Sequence, residues 1–398
     1  MLDHIEPKQA RDMLLELAAS CETEAVSIYN ALGRVLAEDC CASFPVPPFR
    51  KSPFDGYALR SVDCPGMLRV VQTVAAGDAP DFVLRSGEAV RIFTGSPVPD
   101  IADAVVKQED VCADGDCISI GRKLEPDTNV IHAGEDYKVG TVLARAGAVL
   151  DYAQLGVLAS QGYGEVSVYK RPVVSVMSTG SELTEPGHER GTYKIYNSSA
   201  AAICAWLQEH SLEPRYVGIV PDDAERIEEA VSAALDDSDV VLTTGGASVG
   251  DFDFALDTAK AVGAESLFWK VNMKPGGAIL ASVKDDKLLL SLSGNPAAAL
   301  MGLFVIALPY FNKLCGKAEL ESERIMLPLK KALPKTSSVK RLLRGHLELH
   351  KGKAFFCEHS GRGNGNLSSF ENCDLIGIVP PCNETLSAGT MIEAIRIR

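Results

Sequence analysis

The spacing of apolar residues predicts helices in the first part of the chain. After Pro7, apolar positions recur at intervals of three and four, on a face formed by Ala10, Met13, Leu14, Leu17 and Ala18. A second helix is predicted over residues 27–38. Four prolines within residues 44–53 then indicate a rigid connection.

Between residues 52 and 148 the pattern changes to short β-branched runs separated by Gly, Pro and Asp. The runs are LRVVQTV, AVRIFTG, ADAVVKQEDV, CISIG and TVLAR. They predict a small all-β domain inserted into the helical part. After this domain, Asp151 is expected to cap a helix ending near Gly162, with an inward face of Tyr152, Leu155, Leu158 and Ala159.

From Pro172 onward, apolar strands alternate with amphipathic helices. Strands are predicted at PVVSVMSTG, RYVGIV, DVVLTTGG, LFWKVN, AILASV and LLLSLSGN. Helices are predicted after Asn197 or Ser198, after Asp222, at ALDTAKAVG and over Pro296–Leu314. This alternation predicts a doubly wound, mostly parallel sheet. The final part of the chain returns to short strands and Gly-rich turns, which predict a small β-barrel or sandwich.

The predicted fold class is therefore α/β plus β, in four domains. Residues 1–42 and 140–171 form a helical linker domain, and residues 43–139 form the inserted β domain. Residues 172–318 form the α/β domain, and residues 319–398 form a C-terminal β domain. A chain of 398 residues is long enough for this number of domains.

Composition and charge exclude several classes of protein. Hydrophobic residues make up 46% of the chain, which is too many for a disordered protein. A net charge of −14 is unlike that of a duplex nucleic-acid binder, so no nucleic-acid partner is expected. The 11 cysteines include no CxxC pair, which argues against structural zinc or a disulfide scaffold and indicates a reducing, cytoplasmic compartment. No signal peptide and no run of 18 apolar residues is found, so no membrane span is expected.

Three loops at predicted strand ends combine small residues with a following helix: STGSEL (178–183), TTGGASVGDFDF (243–254) and LSGNPAAAL (292–300). Glycine allows a ligand to approach the backbone, and the start of a helix favours an anion. One such loop alone is equally compatible with a tight turn, but three on one sheet edge predict a phosphate-bearing ligand. The candidate binding residues are Thr179, Gly180, Gly245, Gly246, Ser248, Gly250, Gly294 and Asn295.

Charged residues follow the same edge. Carboxylates beside a phosphate loop are typical Mg²⁺ ligands, and the acids in these loops are Glu182, Asp251 and Asp253. Lys270 and Lys274 suit an oxyanion, although each taken singly is equally a solvated surface charge. Asp222 precedes a helix and is either an N-cap or a functional acid.

Five of the histidines form no HxxxH pair with each other. They are therefore interpreted as surface or core residues rather than metal ligands: His132, His188, His210, His346 and His359. The chain also lacks the GxGxxG-after-a-strand, GxxxxGK[ST] and GxSxG signatures, so the commoner nucleotide folds and nucleophilic hydrolysis have no support.

Together these motifs resemble the molybdenum insertase family, the molybdopterin molybdenumtransferases, which also includes the E domain of gephyrin. The resemblance runs from about residue 5 to 396. It is carried by PVPPFRKSPFDGYAL (45–59), RIFTGSPVP (91–99), AGEDY (133–137), STGSEL, YNSSA, TTGGASVGDFDF, FWKVNMKPGG, SGNP, RGHL (344–347) and LSSF (367–370).

The resemblance implies an elongated multidomain chain with a molybdopterin-binding α/β domain and a C-terminal β-barrel. It implies a homodimer whose cleft lies between the inserted domain of one subunit and the last two domains of the other. The implied reaction converts adenylylated molybdopterin and molybdate into molybdenum cofactor and AMP, with a divalent cation such as Mg²⁺. Further expected partners are the molybdopterin adenylyltransferase and apo-molybdoenzymes.

The family's functional positions map onto this sequence one by one. The expected catalytic acids are Asp55, Asp136, Glu182, Asp253 and, by a looser match, Asp222. Mg²⁺ is expected at Asp253 and Glu182. Further ligand-binding positions match Thr94, Lys270 and Pro275. The resemblance implies that Lys274, Arg344 and Ser369 form the oxyanion pocket for molybdate.

Some positions depart from the family pattern. Arg50–Lys51 replaces an acid–Asn pair, Phe54 replaces a Met, and Ala298 replaces a frequent Ser. The residues before Gly134 lack the family's arginines. Two other interpretations stay open, a scaffold that kept the fold without the chemistry and a molybdopterin adenylyltransferase. The retained carboxylates and lysines argue against the first, and the extra β domains argue against the second.

Overall fold

The computed structural model describes residues 1–79, 83–246, 254–333, 337–359 and 366–398. The chain divides into two compact units. The larger, the α/β unit, comprises Met1–Glu38, Ala146–Asp151 and Glu165–Arg398. The smaller, the inserted unit, comprises Asp39–Arg145 and Tyr152–Gly164. The finer division into four domains stays a prediction.

Regular elements are numbered along the chain. The strands are β1 Leu2–Ile5, β2 Thr23–Ser27, β3 Cys40–Cys41, β4 Gly56–Leu59, β5 Gly66–Val74, β6 Glu88–Ile92, β7 Ala104–Lys107, β8 Cys112–Asp114, β9 Cys117–Ile120, β10 Val142–Ala144, β11 Glu165–Tyr169, β12 Val173–Thr179, β13 Leu183–Thr184, β14 Ile195–Tyr196, β15 Glu213–Val220, β16 Val240–Thr244, β17 Glu265–Val271, β18 Met273–Lys274, β19 Ile279–Lys284, β20 Lys287–Leu292, β21 Arg324–Pro328, β22 Lys340–His350, β23 Lys353–Glu358, β24 Leu375–Val379 and β25 Met391–Arg396. The helices are α1 Pro7–Leu17, α2 Tyr152–Ser160, α3 Ser198–Glu209, α4 Ala224–Asp237, α5 Ala255–Ala261, α6 Pro296–Gly302 and α7 Leu308–Leu314.

The main sheet of the α/β unit has the strand order β1-β17-β19-β20-β16-β12-β15. Strand β19 is antiparallel to both neighbours, and the other neighbouring pairs are parallel. Successive strand residues point to opposite faces. Val176 therefore joins the core beneath α1, α3 and α6–α7, whereas Met177 joins the core beneath α4 and α5. The predicted doubly wound, mostly parallel sheet is confirmed.

The first predicted helix is confirmed as α1, but the helix predicted over residues 27–38 is wrong. Strand β2 pairs antiparallel with β11, and Leu36 bridges to Val168. Gly33 has φ +72°, which interrupts any helix here. The apolar residues of this segment serve a sheet pairing with a partner more than a hundred residues away, which local spacing does not reveal.

The inserted unit is built on a six-stranded sheet of order β7-β4-β6-β5-β9-β8. Buried side chains cover both faces: Leu59 and Ile118 lie in one cluster, and Ala58 and Ile92 lie in another. Helix α2 begins where the sequence predicted. Its predicted inward face is only partly right: Leu158 is fully buried, but Tyr152 is 85% exposed.

A second six-stranded sheet forms the C-terminal part of the α/β unit. Its order is β18-β22-β24-β25-β21, with β23 also paired to β22. A parallel bridge joins Leu329, just after β21, to Phe356 in β23. Strand β18 is parallel to β22, with Lys274 opposite Arg341. The C-terminal sheet therefore begins two residues after the end of β17 in the main sheet.

Helices α6 and α7 are joined by the π-helical stretch Leu303–Ala307. Together they form the continuous helix Pro296–Leu314. Within the described part of the chain, it is the one helix that is long enough and apolar enough to cross a membrane. Within it, 89% of the most apolar window is buried inside the protein. Its side chains fill the core between the two sheets of the α/β unit, as shown by the clustering of Phe304 with Ile376 and Ile395.

Candidate active site

The three predicted loops meet at one edge of the main sheet. A Cβ placed on Gly245 would lie 2.4 Å from the Thr179 carbonyl oxygen, and one on Gly294 would lie 3.4 Å from Gly245 Cα. The loops after β12, β16 and β20 are thus in direct backbone contact. Gly245 also has φ +96°, which favours glycine on conformational grounds. The edge presents backbone rather than side chains, as an anion- or phosphate-binding surface requires.

Buried hydroxyls hold this edge together. Ser178 Oγ lies 2.8 Å from Thr244 Oγ1 and donates to Asn197 Oδ1 at 3.1 Å. The same Asn197 oxygen accepts from Ala200 N and caps α3. Buried, uncharged polar groups stabilise a single arrangement of the backbone when all their hydrogen bonds are made. The network fixes the end of β12 relative to β16 and α3.

Glu182 and Asp222 both act on the loop after β12. Gly180 has φ +147°, and a Cβ there would lie 2.5 Å from Glu182 Oε2, so the carboxylate folds back over the loop. Asp222 accepts hydrogen bonds from Ser181 N and Ser181 Oγ. The N-cap of α4 is the neighbouring Asp223, which accepts from Arg226 N. Of the two roles left open for Asp222, the N-cap is therefore wrong.

The two predicted lysines line one cavity of about 380 Å³. Pro275, Ser293 and Asn295 contribute to the same wall. Lys270 has φ +61°, an uncommon backbone conformation for a residue with a side chain, and its Nζ lies 3.9 Å from the centroid of the Trp269 ring. Lys274 is exposed at the opening. An anion entering this cavity meets two cations and the start of the helix at Pro296.

The turn after Lys274 is tightly packed. A Cβ on Gly276 would lie 2.8 Å from the Ala298 carbonyl oxygen, and one on Gly277 would lie 2.4 Å from the Val271 carbonyl oxygen. Gly276 therefore allows the turn to lie against the start of α6. Gly277 allows it to lie against the end of β17. Ala298 is 2% exposed at this contact.

Arg344 and Ser369 are both buried. Neither lines the cavity formed around Lys270 and Lys274, which is called the lysine cavity below. Arg344 is 7% exposed, and its guanidinium carbon lies 5.7 Å from the Phe370 ring centroid. Burial lowers the pKa of Arg344 from its ordinary value, although an arginine keeps its charge at neutral pH. Ser369 is 3% exposed and donates to the Asn366 carbonyl. The strand pairing of Lys274 with Arg341 connects these residues to the cavity along β22.

In the inserted unit the structure brings Asp55 and Thr94 together. Asp55 Oδ1 accepts from Thr94 N at 2.8 Å and from Thr94 Oγ1 at 2.9 Å. These two hydrogen bonds hold the pKa of Asp55 below its ordinary value, and the bond from the Thr94 backbone amide has the larger effect. Lys107 lies over the Phe54 ring at 4.1 Å, so the departure at Phe54 provides a cation–π contact beside the acid.

Asp136 is exposed in a loop held by the hydrogen bond from its amide to the Val46 carbonyl. The neighbouring departures have structural roles. Arg50 donates to the carbonyls of Pro99 and Asp100, and His132 Nε2 lies 3.2 Å from Asp127 Oδ1. Both side chains are thus used for contacts within the inserted unit.

The predictions for Ser248, Gly250, Asp251 and Asp253 fall outside the described residues. Ser181, which no sequence signal singled out, connects the loop after β12 to Asp222. Lys194, whose Nζ donates to the Ser181 carbonyl at 3.0 Å, was likewise not predicted. A lysine in a polar loop carries no sequence signal for this contact, whereas the serine between Gly180 and Glu182 marks a turn.

Comparison with known proteins gives the family. Residues 5–162 match the model described as MoeA N-terminal region (domain I and II), and residues 175–313 match the probable molybdopterin binding domain. Molybdopterin molybdenumtransferases from Staphylococcus aureus strain Mu50 and Staphylococcus epidermidis are 33% and 30% identical, each covering 98% of this chain and 95% of the relative. The crystal structure of the molybdopterin biosynthesis moeA protein from Pyrococcus horikosii is 28% identical, with a TM-score of 0.84 over 99% of both chains. The mixed α/β, multi-sheet chain belongs to the molybdopterin molybdenumtransferase family of transferases, which acts in molybdenum cofactor biosynthesis.

Proposed function

We propose that this protein transfers molybdenum from molybdate to adenylylated molybdopterin, releasing AMP and forming molybdenum cofactor. The observation that carries the proposal is the contact of three glycine-bearing loops at one sheet edge, next to a cavity with two lysines. The substrate has phosphates and an adenylate, and molybdate is a second anion. Positioning and charge neutralisation at such a surface provide most of the catalysis expected of the reaction.

The two lysines have separate roles in this proposal. Lys270 binds a phosphate of the nucleotide-linked substrate. The family resemblance supports binding of molybdate by Lys274 together with the guanidinium of Arg344 and the hydroxyl of Ser369, which are buried outside the lysine cavity. Thr179, Gly180, Gly245, Gly246, Gly294 and Asn295 form the backbone surface for the pterin phosphate, with Pro275 in the cavity wall. The acids Asp55, Asp136 and Asp222 orient substrate groups or water.

Mg²⁺ fits the donor set of this edge. The Glu182 carboxylate lies over Gly180, and carboxylate oxygens beside a phosphate surface are the ligands Mg²⁺ prefers. We propose Glu182 and Asp253 as its ligands. When bound, the ion neutralises phosphate charge, while the residues of the chain hold and orient the two anions.

We further propose a homodimer in which Asp55 of one subunit lies in the same cleft as Lys274 of the other. The family resemblance supports this arrangement. It also supports an elongated four-domain subunit whose C-terminal sheet closes as a barrel, for which the bridge between Leu329 and Phe356 is a fitting contact. The cysteine pattern of the sequence, an odd number without CxxC spacing, supports a cytoplasmic location. Expected partners are the molybdopterin adenylyltransferase and apo-molybdoenzymes.

One assay tests the reaction. The purified protein is incubated with adenylylated molybdopterin, Mg²⁺ and molybdate, and both AMP release and reconstitution of an apo-molybdoenzyme are measured. Molybdate-dependent AMP release with reconstitution is the expected result. Binding of the substrate without AMP release would identify a scaffold instead. Adenylylation of free molybdopterin from ATP would identify the adenylyltransferase.

A further inference from the structure

Four side chains that commonly bind metals lie on the hairpin formed by β22 and β23. They occur as two pairs with a spacing of two residues, His346-x-Glu348 on β22 and Cys357-x-His359 at the end of β23. Residues two apart on a strand point to the same face. The spacing therefore places each pair on one face of its strand.

The register of the hairpin brings the two pairs together. His346 lies directly opposite Cys357. One ring nitrogen of His346, a carboxylate oxygen of Glu348 and the Cys357 sulfur all lie within 4.8 Å of one another. In a tetrahedral zinc site, metal–ligand distances of about 2.0–2.3 Å place donor atoms roughly 3.3–3.8 Å apart. Small side-chain rotations thus suffice to bring these three donors onto one ion.

A chain of hydrogen bonds orients the His346 ring. His359 Nδ1 lies 2.8 Å from the Ser369 carbonyl oxygen, which only accepts, so Nδ1 carries the proton. His359 Nε2 then accepts from His346 Nδ1 at 2.8 Å. This leaves the lone pair of His346 Nε2 available. Histidines that bind metals are usually oriented in this way by a donor bond from the other ring nitrogen.

The surroundings are compatible with a cation despite a nearby lysine. Lys330 Nζ pairs with Glu348 Oε1 at 3.0 Å, and a carboxylate has a second oxygen to offer. Burial, and after it the hydrogen bond with Glu348, raise the pKa of the Cys357 thiol, so metal binding through the thiolate releases a proton.

We propose that His346, Glu348 and Cys357 form a binding site for a divalent transition metal, with His359 orienting His346. The mixed nitrogen, oxygen and sulfur donor set suits Zn²⁺ or Co²⁺ and does not suit Mg²⁺, which prefers oxygen alone. None of the four residues lines the lysine cavity, but His359 contacts the carbonyls of Ser369 and Arg344, so the metal site borders the proposed molybdate pocket and is tested below by metal binding alone.

Metal titration of the full-length protein tests the site. With Co²⁺ as the probe, wild-type protein should bind one ion per chain and show thiolate-to-cobalt charge-transfer absorption. Zn²⁺ should displace it and release about one proton per ion at neutral pH, from the Cys357 thiol. Cys357→Ser should abolish the charge-transfer band. His359→Gln should weaken binding roughly 10- to 100-fold, as expected of an orienting residue.

Two matched variants serve as controls. His350→Ala removes an exposed histidine from the other end of β22, and Cys382→Ser removes a thiol from the segment between β24 and β25. Both should bind Co²⁺ like wild type. Wild-type protein without the charge-transfer band would overturn the proposal. So would a band that persists in folded Cys357→Ser protein, with folding checked by circular dichroism. AMP release is not part of either readout, so failure here leaves the proposed transferase activity unaffected.

Discussion

Asp222 Oδ2 accepts two hydrogen bonds from Ser181, one from the backbone amide and one from Oγ, both at 2.7 Å. The next residue, Asp223, accepts from Arg226 N and caps α4. Two adjacent aspartates thus stabilise different elements. One holds a loop of the candidate site and the other holds a helix, which provides a matched pair of substitutions.

Asp222→Ala should reduce kcat/KM for AMP release at least about tenfold, because a charged hydrogen-bond acceptor worth roughly 1.5–3 kcal/mol to the loop is lost. Asp223→Ala should instead lower the free energy of unfolding by about 1 kcal/mol through loss of the cap, with near-normal turnover by the folded protein. Urea denaturation and steady-state kinetics on both variants distinguish these effects. Normal kinetics in Asp222→Ala would show that the Ser181 contact has no part in activity.

Lys274→Ala should raise the molybdate concentration needed for half-maximal AMP release. Loss of one charge-assisted contact of about 1.5–3 kcal/mol corresponds to roughly 10- to 150-fold weaker binding. Lys260→Ala, on the exposed side of α5, is the control and should behave like wild type. An unchanged molybdate dependence in Lys274→Ala would remove this lysine from the oxyanion pocket.

Thr94→Val should raise the pKa of Asp55 part of the way back to its ordinary value. The variant loses the Oγ1 donor and keeps the backbone donor. Because the folded-state pKa is lowered, the favourable contribution of the charged Asp55 is present above its unfolded pKa and is lost as pH falls through the folded pKa. The acidic limb of activity should therefore move to higher pH in the variant.

Carboxyl ¹³C titration of Asp55 by NMR measures this shift directly. Thr128→Val is the control, since the Thr128 hydroxyl donates to a carbonyl rather than to a carboxylate. Equal Asp55 titration in Thr94→Val and wild type would contradict the assignment.

Gly245→Ala should destabilise the protein more than Gly263→Ala. Both glycines have positive φ, which costs an alanine about 1–2 kcal/mol. Gly263 has open space where the methyl would lie, whereas at Gly245 the methyl would lie 2.4 Å from the Thr179 carbonyl oxygen. Thermal and urea unfolding of both variants give the comparison. Equal losses would mean that the contact between the two loops is loose enough to relax.

Co-refolded Asp55→Asn and Lys274→Ala chains test the homodimer proposal. If the two residues serve one cleft from different subunits, a mixed dimer has one cleft with both defects and one with neither. Activity should therefore reappear on mixing two inactive variants, and not on refolding either alone. Mass spectrometry must confirm mixed dimers; their presence without activity would assign both residues to the same subunit.

Local sequence signals predicted most of the main sheet but not all of the fold. The alternation of apolar strands with helices from Pro172 predicted β12, β15, β16 and β20, since each strand lies next to its own helix in sequence. The segment after Ser27 was predicted as helix because its apolar residues fit helical spacing. Instead, Val35 and Leu36 of this segment form bridges to Val149 and Val168, and residue spacing alone contains no information about such distant partners.

Sequence signals likewise predicted one part of the candidate functional residues and missed another. The three glycine loops were predicted together because parallel strands end at one edge, and their contact is observed at Gly245. The HxxxH pattern is a helical spacing, so it does not identify these histidines as ligands. His346 and His359 meet across a hairpin, where the relevant spacing is two residues on each strand and the register is set by the turn.

The pairing of β1 with β17 has a consequence for biosynthesis. The Asn272 side chain donates to the His4 carbonyl, 268 residues earlier in the chain, and Leu2 pairs with Phe268. At about 5–20 residues per second, a ribosome needs on the order of tens of seconds to translate the residues that separate β1 from its partner. Throughout that interval β1 has no β17 to pair with. The main sheet is therefore completed at this edge only after most of the α/β unit has been translated.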